Sequence, residues 1–244
     1  MKIRHLVHSC LLVELSGRRL LIDPGAFSAE AVRSLGEETL SGIDAVLVTH
    51  QHPDHLERGL LEEVLALAVH AEVLAEPETA AQLAEAADGA AAVPASRLHA
   101  FAAGQSHELP ALDGHAAVRI DAVGGQHAVI HPDIPRVGNS GLVISAGQEP
   151  RLGVTGDSLE AVPDFHGIDV LAFAVVAPWS KMAETIDFLR AVEPVLALPV
   201  HDAIASDVGR PIFLRQSTHL APEGTEVRDW PADGTIELPG APGA

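Results

Sequence analysis

The order of short apolar runs along the chain is the feature that most limits its fold. Strand-like runs fill residues 3–22. A strand at 45–48, a helix at 56–69, a strand near 72–75 and a helix at 77–87 follow. Short strands return over residues 97–154, a strand-helix-strand pattern occupies residues 170–200, and a final hairpin is expected around residues 233–234. This order indicates two similar halves that pack as layers. Because no Gly/Ser linker separates the halves, we expect one domain over residues 1–244.

Charge and composition disfavour several classes of function. The formal net charge is −19, and no run of Lys or Arg reverses it locally, so nucleic acid is a disfavoured partner. The single cysteine, Cys10, excludes an intrachain disulfide framework and a cysteine-rich zinc site. No segment approaches the roughly 18 uninterrupted apolar residues of a membrane span, and the first residues have no export-signal pattern. We therefore expect a soluble, cytoplasmic protein with no membrane partner.

The strongest motif lies between a predicted buried strand and a predicted helix. Residues 49–55 read THQHPDH, which places His50, His52, Asp54 and His55 within six residues. Zinc binds imidazole nitrogen and carboxylate oxygen, and a catalytic site needs these ligands on rigid ends of secondary structure. The alternative is a solvated, histidine-rich turn. The motif favours a metal site, because further residues of the same kinds follow other predicted strands.

Three more candidate ligands come at the ends of predicted strands. His127 follows Gly124 and Gly125, Asp157 follows the run LGVTG, and His201 follows a buried strand that ends in Pro-Val. The chain has 14 histidines and no tyrosine. A tyrosine therefore cannot serve as a general acid in this protein.

With these four segments in this order, the chain resembles the metallo-β-lactamase superfamily. The opening, with the hairpin sequence HSC at residues 8–10 before Leu-Ile-Asp-Pro, is most similar to the branch of ascorbate-6-phosphate lactonase and related metal-dependent hydrolases. The resemblance covers roughly residues 2–202. It implies an α/β fold, a four-layer αββα sandwich with two mixed β-sheets.

The resemblance also implies a dinuclear site. In such a site His50, His52 and His127 hold one metal ion. Asp54, His55 and His201 hold the second, and Asp157 bridges the two. Asp23, in the run LIDPG, matches an aspartate that orients a ligand loop without binding metal. The ions implied are zinc, although Mn²⁺ or Fe²⁺ would accept the same ligands.

The implied activity is that of a metal-dependent hydrolase that attacks a small-molecule ester, lactone, amide or phosphate ester. Two metal ions roughly 3.5 to 4 Å apart can hold a hydroxide and lower its pKa towards neutrality. Asp54 is the expected catalytic residue, since it would both bind metal and orient this hydroxide. Within the group a lactonase-like activity is favoured.

Several alternatives stay open at this point. A phosphodiesterase or nuclease similar to ribonuclease Z shares the HxHxDH motif, which residues 50–55 form here. The negative net charge of the chain counts against this activity. Di-iron redox members place a glutamate where His52 stands, and a non-catalytic metal-binding member would usually have lost a ligand. True β-lactamase activity is disfavoured because no export leader is found. Homo-oligomers are common among such relatives, but no exposed stripe indicates one.

A further set of residues is proposed to contact the substrate, each with a structural alternative. Residues 128–139 form a predicted loop after His127 that would cover the site. Arginine and histidine in that loop would bind a substrate anion or remain solvated. The candidates are His8, His131, Arg136, Asn139 and Trp179. Asn139 would donate to an oxyanion or bond to its own backbone in a turn. Trp179 would line the pocket or pack in the interior, with Ser180 as the N-cap of the following helix. The remaining histidines match no ligand pattern and are expected to be structural or exposed: His5, His70, His99, His107, His115, His166 and His219.

Overall fold

Two seven-stranded sheets form the centre of the protein in its computed structural model, which describes residues 1–87 and 89–240. The strands that form the first sheet are β1 (Lys2–Val7), β2 (Cys10–Leu15), β3 (Arg18–Ile22), β4 (Ala45–Val48), β5 (Glu72–Ala75), β6 (Leu98–Ala100) and β14 (Thr235–Glu237). Those of the second are β7 (Ser106–Leu109), β8 (Val118–Gln126), β9 (Gly138–Ala146), β10 (Leu152–Val154), β11 (Val170–Ala174), β12 (Leu196–Val200) and β13 (Glu226–Val227).

Both sheets combine an antiparallel part with a parallel part. In the first, of order β14-β1-β2-β3-β4-β5-β6, the pairs from β14 to β3 are antiparallel and those from β3 to β6 are parallel. In the second, of order β13-β12-β11-β10-β9-β8-β7, the pairs from β7 to β10 are antiparallel and the rest are parallel. This confirms the prediction of two similar halves with mixed sheets.

Helices cover the outer face of each sheet. They are α1 (Ala29–Arg33), α2 (Glu37–Ser41), α3 (Arg58–Leu67) and α4 (Pro77–Leu83) on the first sheet, and α5 (Met182–Val192) and α6 (Arg210–Leu220) on the second. In α3 the residues Leu60, Leu61, Val64 and Leu65 are buried, which is the spacing of one apolar helix face. The layers are therefore helix, sheet, sheet and helix, as the resemblance implies.

The main core lies between the two sheets. Strand alternation sends every second residue inward, so Leu11 and Val13 of β2 meet Leu142 and Ile144 of β9 in one cluster. The central strand β4 is buried on both faces, because the second sheet covers one and helices cover the other.

Two local expectations were wrong, and one helix was missed. The segment around Asp233 was expected to form a final hairpin, but β14 pairs instead with β1, for example Glu237 with Lys2. Ser180 was expected to cap α5, but the helix begins at Met182 and the Glu184 carboxylate accepts a hydrogen bond from the Lys181 amide. The helix α2 had no counterpart in the sequence patterns. In residues 1–87 and 89–240 no helix is long and apolar enough to cross a membrane.

Candidate metal centre

Histidines and aspartates converge where strands of both sheets end. Thr49 follows β4, His127 follows β8, Asp157 comes three residues after β10, and His201 follows β12. The structure brings together all seven residues predicted as metal ligands. They form two groups, each with potential ligand atoms within 4.8 Å of one another: His50, His52, His127 and Asp157, and His8, Asp54, His55 and His201.

Asp157 lies between the two groups and contacts both. Its Oδ1 is 3.0 Å from Nε2 of His55, and its Oδ2 is 3.3 Å from Nε2 of His127 and 3.2 Å from Nε2 of His201. Its position depends on Asn139, whose Oδ1 accepts a hydrogen bond from the Asp157 amide at 2.9 Å. Oδ2 therefore faces one histidine of each group, and Oδ1 faces a second histidine of the group that contains His55 and His201.

Hydrogen bonds on the outer nitrogen fix the orientation of the histidine rings. The Nδ1–H of His127 donates to the Ala128 carbonyl oxygen at 2.6 Å, and that of His201 donates to the Val176 carbonyl oxygen at 2.8 Å. Because Nδ1 carries the proton in both rings, each Nε2 presents its lone pair to the cluster. Both rings are thus in the tautomer that a metal ion requires.

A buried hydrogen-bond network around Asp23 fixes the orientation of the histidine rings in the HxHxDH loop. Asp23 Oδ2 accepts from Nδ1 of His55 at 2.8 Å and from the Thr49 hydroxyl at 2.8 Å. Since Thr49 Oγ1 gives its hydrogen to Asp23, it accepts from Nδ1 of His50 at 3.1 Å. Nε2 of His50 then faces Nδ1 of His52 at 3.1 Å. No pattern in the sequence predicted this role of Thr49.

The donor atoms at the centre fit divalent metal ions. Two of them, Nε2 of His127 and Nε2 of His201, are buried without a hydrogen-bond partner among the described residues. Buried polar atoms are normally paired, because leaving them without a partner costs free energy. Imidazole nitrogen and carboxylate oxygen are ligands that zinc prefers, so bound metal would satisfy atoms that the protein leaves unpaired.

The charges of the centre are strongly coupled. Burial opposes ionisation of Asp157, but His55, His127 and His201 outweigh it and hold the Asp157 pKa well below its usual value. Burial alone would lower the pKa of His55, but the carboxylates of Asp157 and Asp23 raise it well above the usual value. The pKa of His50 is held well below its usual value by burial and by His55. Asp157 and His50 are therefore in the charge states that metal ligands need at neutral pH.

His8 contacts a predicted ligand. Its Nδ1 accepts a hydrogen bond from the Ala203 amide at 3.2 Å, so in the neutral ring Nε2 carries the proton. That Nε2 lies 3.2 Å from Asp54 Oδ2 and donates to it. Burial raises the pKa of Asp54, but the bond from His8 and the charge of His55 lower it to about 2. His8 is fully buried, not half-buried as a strand histidine would be.

The other residues expected near a substrate make contacts within the protein. Arg136 donates to the His127 carbonyl oxygen and to Gln126 Oε1, and Trp179 Nε1 donates to Asp157 Oδ2 at 2.9 Å. The amide group of Asn139 was expected to donate to an oxyanion or to bond to its own backbone; its Nδ2 instead donates to the Thr155 carbonyl oxygen at 3.0 Å. Asn139 therefore joins β9 to the Asp157 loop.

His131 has no hydrogen bond or ion pair with the predicted ligands in the described part of the chain. It is exposed in the loop after His127, and its Nδ1 accepts a hydrogen bond from the Asp133 amide at 3.1 Å. Its side-chain hydrogen bond and ion pair among the described residues are both with Asp133, two residues away. A contact between His131 and a substrate stays a prediction.

Comparisons with known proteins agree with this geometry. The family model described as "Beta-lactamase superfamily domain" matches residues 2–201. Protein Rv0786c of Mycobacterium tuberculosis is 41% identical over 228 residues, which cover 93% of this chain and 96% of the relative.

Solved structures share the fold at low sequence identity. Igni18, a metallo hydrolase from Ignicoccus hospitalis, has a TM-score of 0.66 at 20% identity and covers 98% of this chain and 99% of its own. The metallo-β-lactamase fold protein YhfI from Bacillus subtilis has a TM-score of 0.67 at 16% identity, with 96% and 98% covered. These likenesses show the fold alone. The family match over residues 2–201 shows that the protein belongs to the metallo-β-lactamase superfamily.

Proposed function

We propose that the protein is a dinuclear metal-dependent hydrolase of a small-molecule ester, lactone, amide or phosphate ester. The observation that carries the proposal is the position of Asp157, whose two carboxylate oxygens face histidines of two adjacent groups. One carboxylate in contact with both groups is what a shared ligand of two metal ions requires.

The contacts support the ligand assignment that the resemblance implies. His50, His52 and His127 would hold one ion, Asp54, His55 and His201 the other, and Asp157 would bridge them. Zinc is the favoured metal for this donor set. Bound at these residues, two divalent ions would lower the pKa of a water molecule and polarise the carbonyl or phosphoryl oxygen of the substrate.

Asp54 is the residue that we propose to orient the attacking water. Its side chain is 26% exposed, whereas the side chain of Asp157 is only 3% exposed, so substrate and solvent reach Asp54 first. Because its pKa is about 2, its carboxylate accepts a hydrogen bond from water at neutral pH. The bond from His8 holds the carboxylate in place, which preserves the direction in which it accepts.

The surroundings of the centre support a small substrate. A cleft of about 720 Å³ lies next to the centre; it is lined by Arg136 and Trp179, which contact His127 and Asp157, and by none of the predicted ligands themselves. A volume of this order holds a small organic molecule. The net charge of −19 repels polyanions, so a lactone or a similar small ester is favoured over nucleic acid.

Metal content and turnover together test the proposal. We expect this centre to bind about two zinc equivalents per chain in the wild type, by elemental analysis after zinc loading, and we expect hydrolysis of at least one member of a panel of lactones, amides and phosphate esters. Asp157→Ala should lose metal and activity together. Asp113→Ala, which removes an exposed carboxylate, is the matched control and should change neither.

Three outcomes would overturn parts of the proposal. One equivalent or none in the fully loaded wild type would refute the bridging role of Asp157. Turnover confined to phosphodiesters or RNA would place the protein with the phosphodiesterases instead of the lactonase-like enzymes. Full metal loading with no turnover of any panel member would favour a non-catalytic metal-binding protein.

A further inference from the structure

A second cluster of metal-ligating side chains closes the open edge between the two sheets. Glu72 begins β5, His99 lies in β6, and His107 lies in β7. Strands β6 and β7 are the edge strands of the first and second sheet. The cluster therefore contains residues from both sheets.

Strand alternation turns these side chains towards the interior of the sandwich. Leu74, two residues after Glu72, and Leu109, two residues after His107, belong to the core between the sheets. Residues two apart on a strand lie on the same face. Glu72 and His107 thus point into the gap between the sheets, at its rim.

Three potential ligand atoms converge there. Glu72 Oε2 lies 2.7 Å from Nε2 of His107 and 3.2 Å from Nε2 of His99. The three side chains are 22% to 38% exposed, yet these three atoms are buried and have no hydrogen-bond partner among the described residues. The candidate metal centre shows the same pattern of converging, unpartnered buried atoms.

This cluster is separate from the candidate metal centre. Glu72 pairs with Ala45, the first residue of β4, whereas the HxHxDH loop begins after Val48, the last residue of that strand. The two clusters therefore lie towards opposite ends of β4 and share no residue.

We propose that Glu72, His99 and His107 bind an additional divalent metal ion, of the zinc class, that joins the edge strands of the two sheets. Two imidazole nitrogens and one carboxylate oxygen form a known three-ligand zinc set, with water completing the tetrahedron. The ion replaces the missing hydrogen-bond partners of all three buried atoms. Since the ligands come from β5, β6 and β7, which the unfolded chain does not hold together, the ion binds the folded state and stabilises it.

The test compares zinc stoichiometry and thermal stability in full-length variants. We expect the double variant His99→Ala/His107→Ala to bind one zinc equivalent fewer than the wild type and to retain its hydrolase activity. The wild-type unfolding midpoint should rise by roughly 5–10 °C when free zinc exceeds the Kd of this site about 100-fold. In Asp157→Ala, whose main centre is impaired, this rise should persist, and the added change His107→Gln should abolish it.

His219→Ala removes an exposed histidine of α6 and serves as the control. Equal zinc content in the double variant and the wild type would overturn the inference and leave the cluster as a hydrogen-bonded pair of histidines on one glutamate. If the alanine variants fail to fold, the volume-conserving variants His99→Gln and His107→Gln give the same comparison. The result is a difference between variants, so it stands apart from the outcome at the main centre.

Discussion

The carboxylate of Asp23 and the imidazole of His55 form a buried hydrogen bond, with 2.8 Å between Asp23 Oδ2 and His55 Nδ1. The opposite nitrogen of the same ring lies 3.0 Å from Asp157 Oδ1. Asp23 thereby determines both the tautomer and the direction of a predicted ligand without entering the ligand cluster. Its backbone has a φ of 48°, in the left-handed region, which indicates that the surrounding structure stabilises an unfavourable conformation.

Replacing Asp23 by asparagine should weaken metal binding while leaving the ligands present. An amide cannot accept hydrogen bonds at both of its ends, whereas Asp23 accepts from the Thr49 amide at Oδ1 and from His55 at Oδ2. We expect zinc affinity to fall about 10- to 100-fold, as for other residues that orient a metal-bound histidine. Competition with a chromogenic chelator measures this. Unchanged affinity, with Asp113→Asn as the exposed control, would show that Asp23 does not orient His55.

Metal binding should release a proton from His55. Its pKa is raised well above the usual value, so at pH 7 the apoprotein holds a proton on Nε2 that a metal ion must displace. Calorimetry of zinc binding in two buffers of different ionisation enthalpy should give a release of about one proton per His55. No net release at pH 7 would show that the ring is already neutral in the apoprotein.

The same raised pKa affects the stability of the apoprotein. Because the folded state binds the His55 proton more tightly than the unfolded state, this stabilisation is fully present below a pH of about 6.5. It is lost as the pH rises through the raised pKa of the folded state. Denaturant unfolding of the apoprotein between pH 7 and pH 10 should therefore show falling stability, and His55→Gln should show a weaker fall.

Replacement of His8 distinguishes an orienting role from a ligand role. His8 Nε2 donates to Asp54 Oδ2, so His8→Ala should release the Asp54 carboxylate while both metal ions stay bound. We expect kcat to fall about 10- to 100-fold at unchanged metal content. His8→Gln retains a donor and should recover part of the activity. Loss of one metal equivalent in His8→Ala would instead make His8 a ligand.

Patterns that act locally made most of the fold predictable. The strand Ala45–Val48 was predicted with its observed bounds, because four apolar residues lead directly into a polar loop. The strand Glu72–Ala75 was predicted equally well. The pairing of β14 with β1 was missed, since it joins residues more than 230 positions apart and depends on where the chain ends fold.

The metal ligands could be predicted because they lie in one short motif or directly after predicted strands. Asn139 and Thr49 act through hydrogen bonds to atoms of distant loops, which no spacing in the sequence encodes. His99 and His107 were expected to be structural or exposed, because they lie in strands of different sheets and match no ligand spacing. Only the packing of the two sheets brings them to Glu72.

The close approach of Gly25 to the HxHxDH loop gives a steric test of the centre. A Cβ at Gly25 would lie 1.8 Å from the Asp54 carbonyl oxygen and 2.5 Å from the His55 amide nitrogen. The backbone next to Gly25 is bound to the same loop, because the Ala26 amide donates a hydrogen bond to the Pro53 carbonyl oxygen at 2.8 Å. One methyl group must therefore displace the loop that carries two predicted ligands.

We expect Gly25→Ala to lose metal from the site of Asp54 and His55, with activity falling at least 100-fold because a displacement of about 1 Å at reacting groups has that effect. Elemental analysis and turnover measure both effects, with circular dichroism to confirm folding. Gly240→Ala is the matched control, since a Cβ there would lie 3.6 Å from its nearest neighbour, an ordinary contact distance. If Gly25→Ala retains metal and full activity, the loop of Asp54 and His55 can accommodate the added methyl group. The loop is then not rigid, and this prediction is wrong.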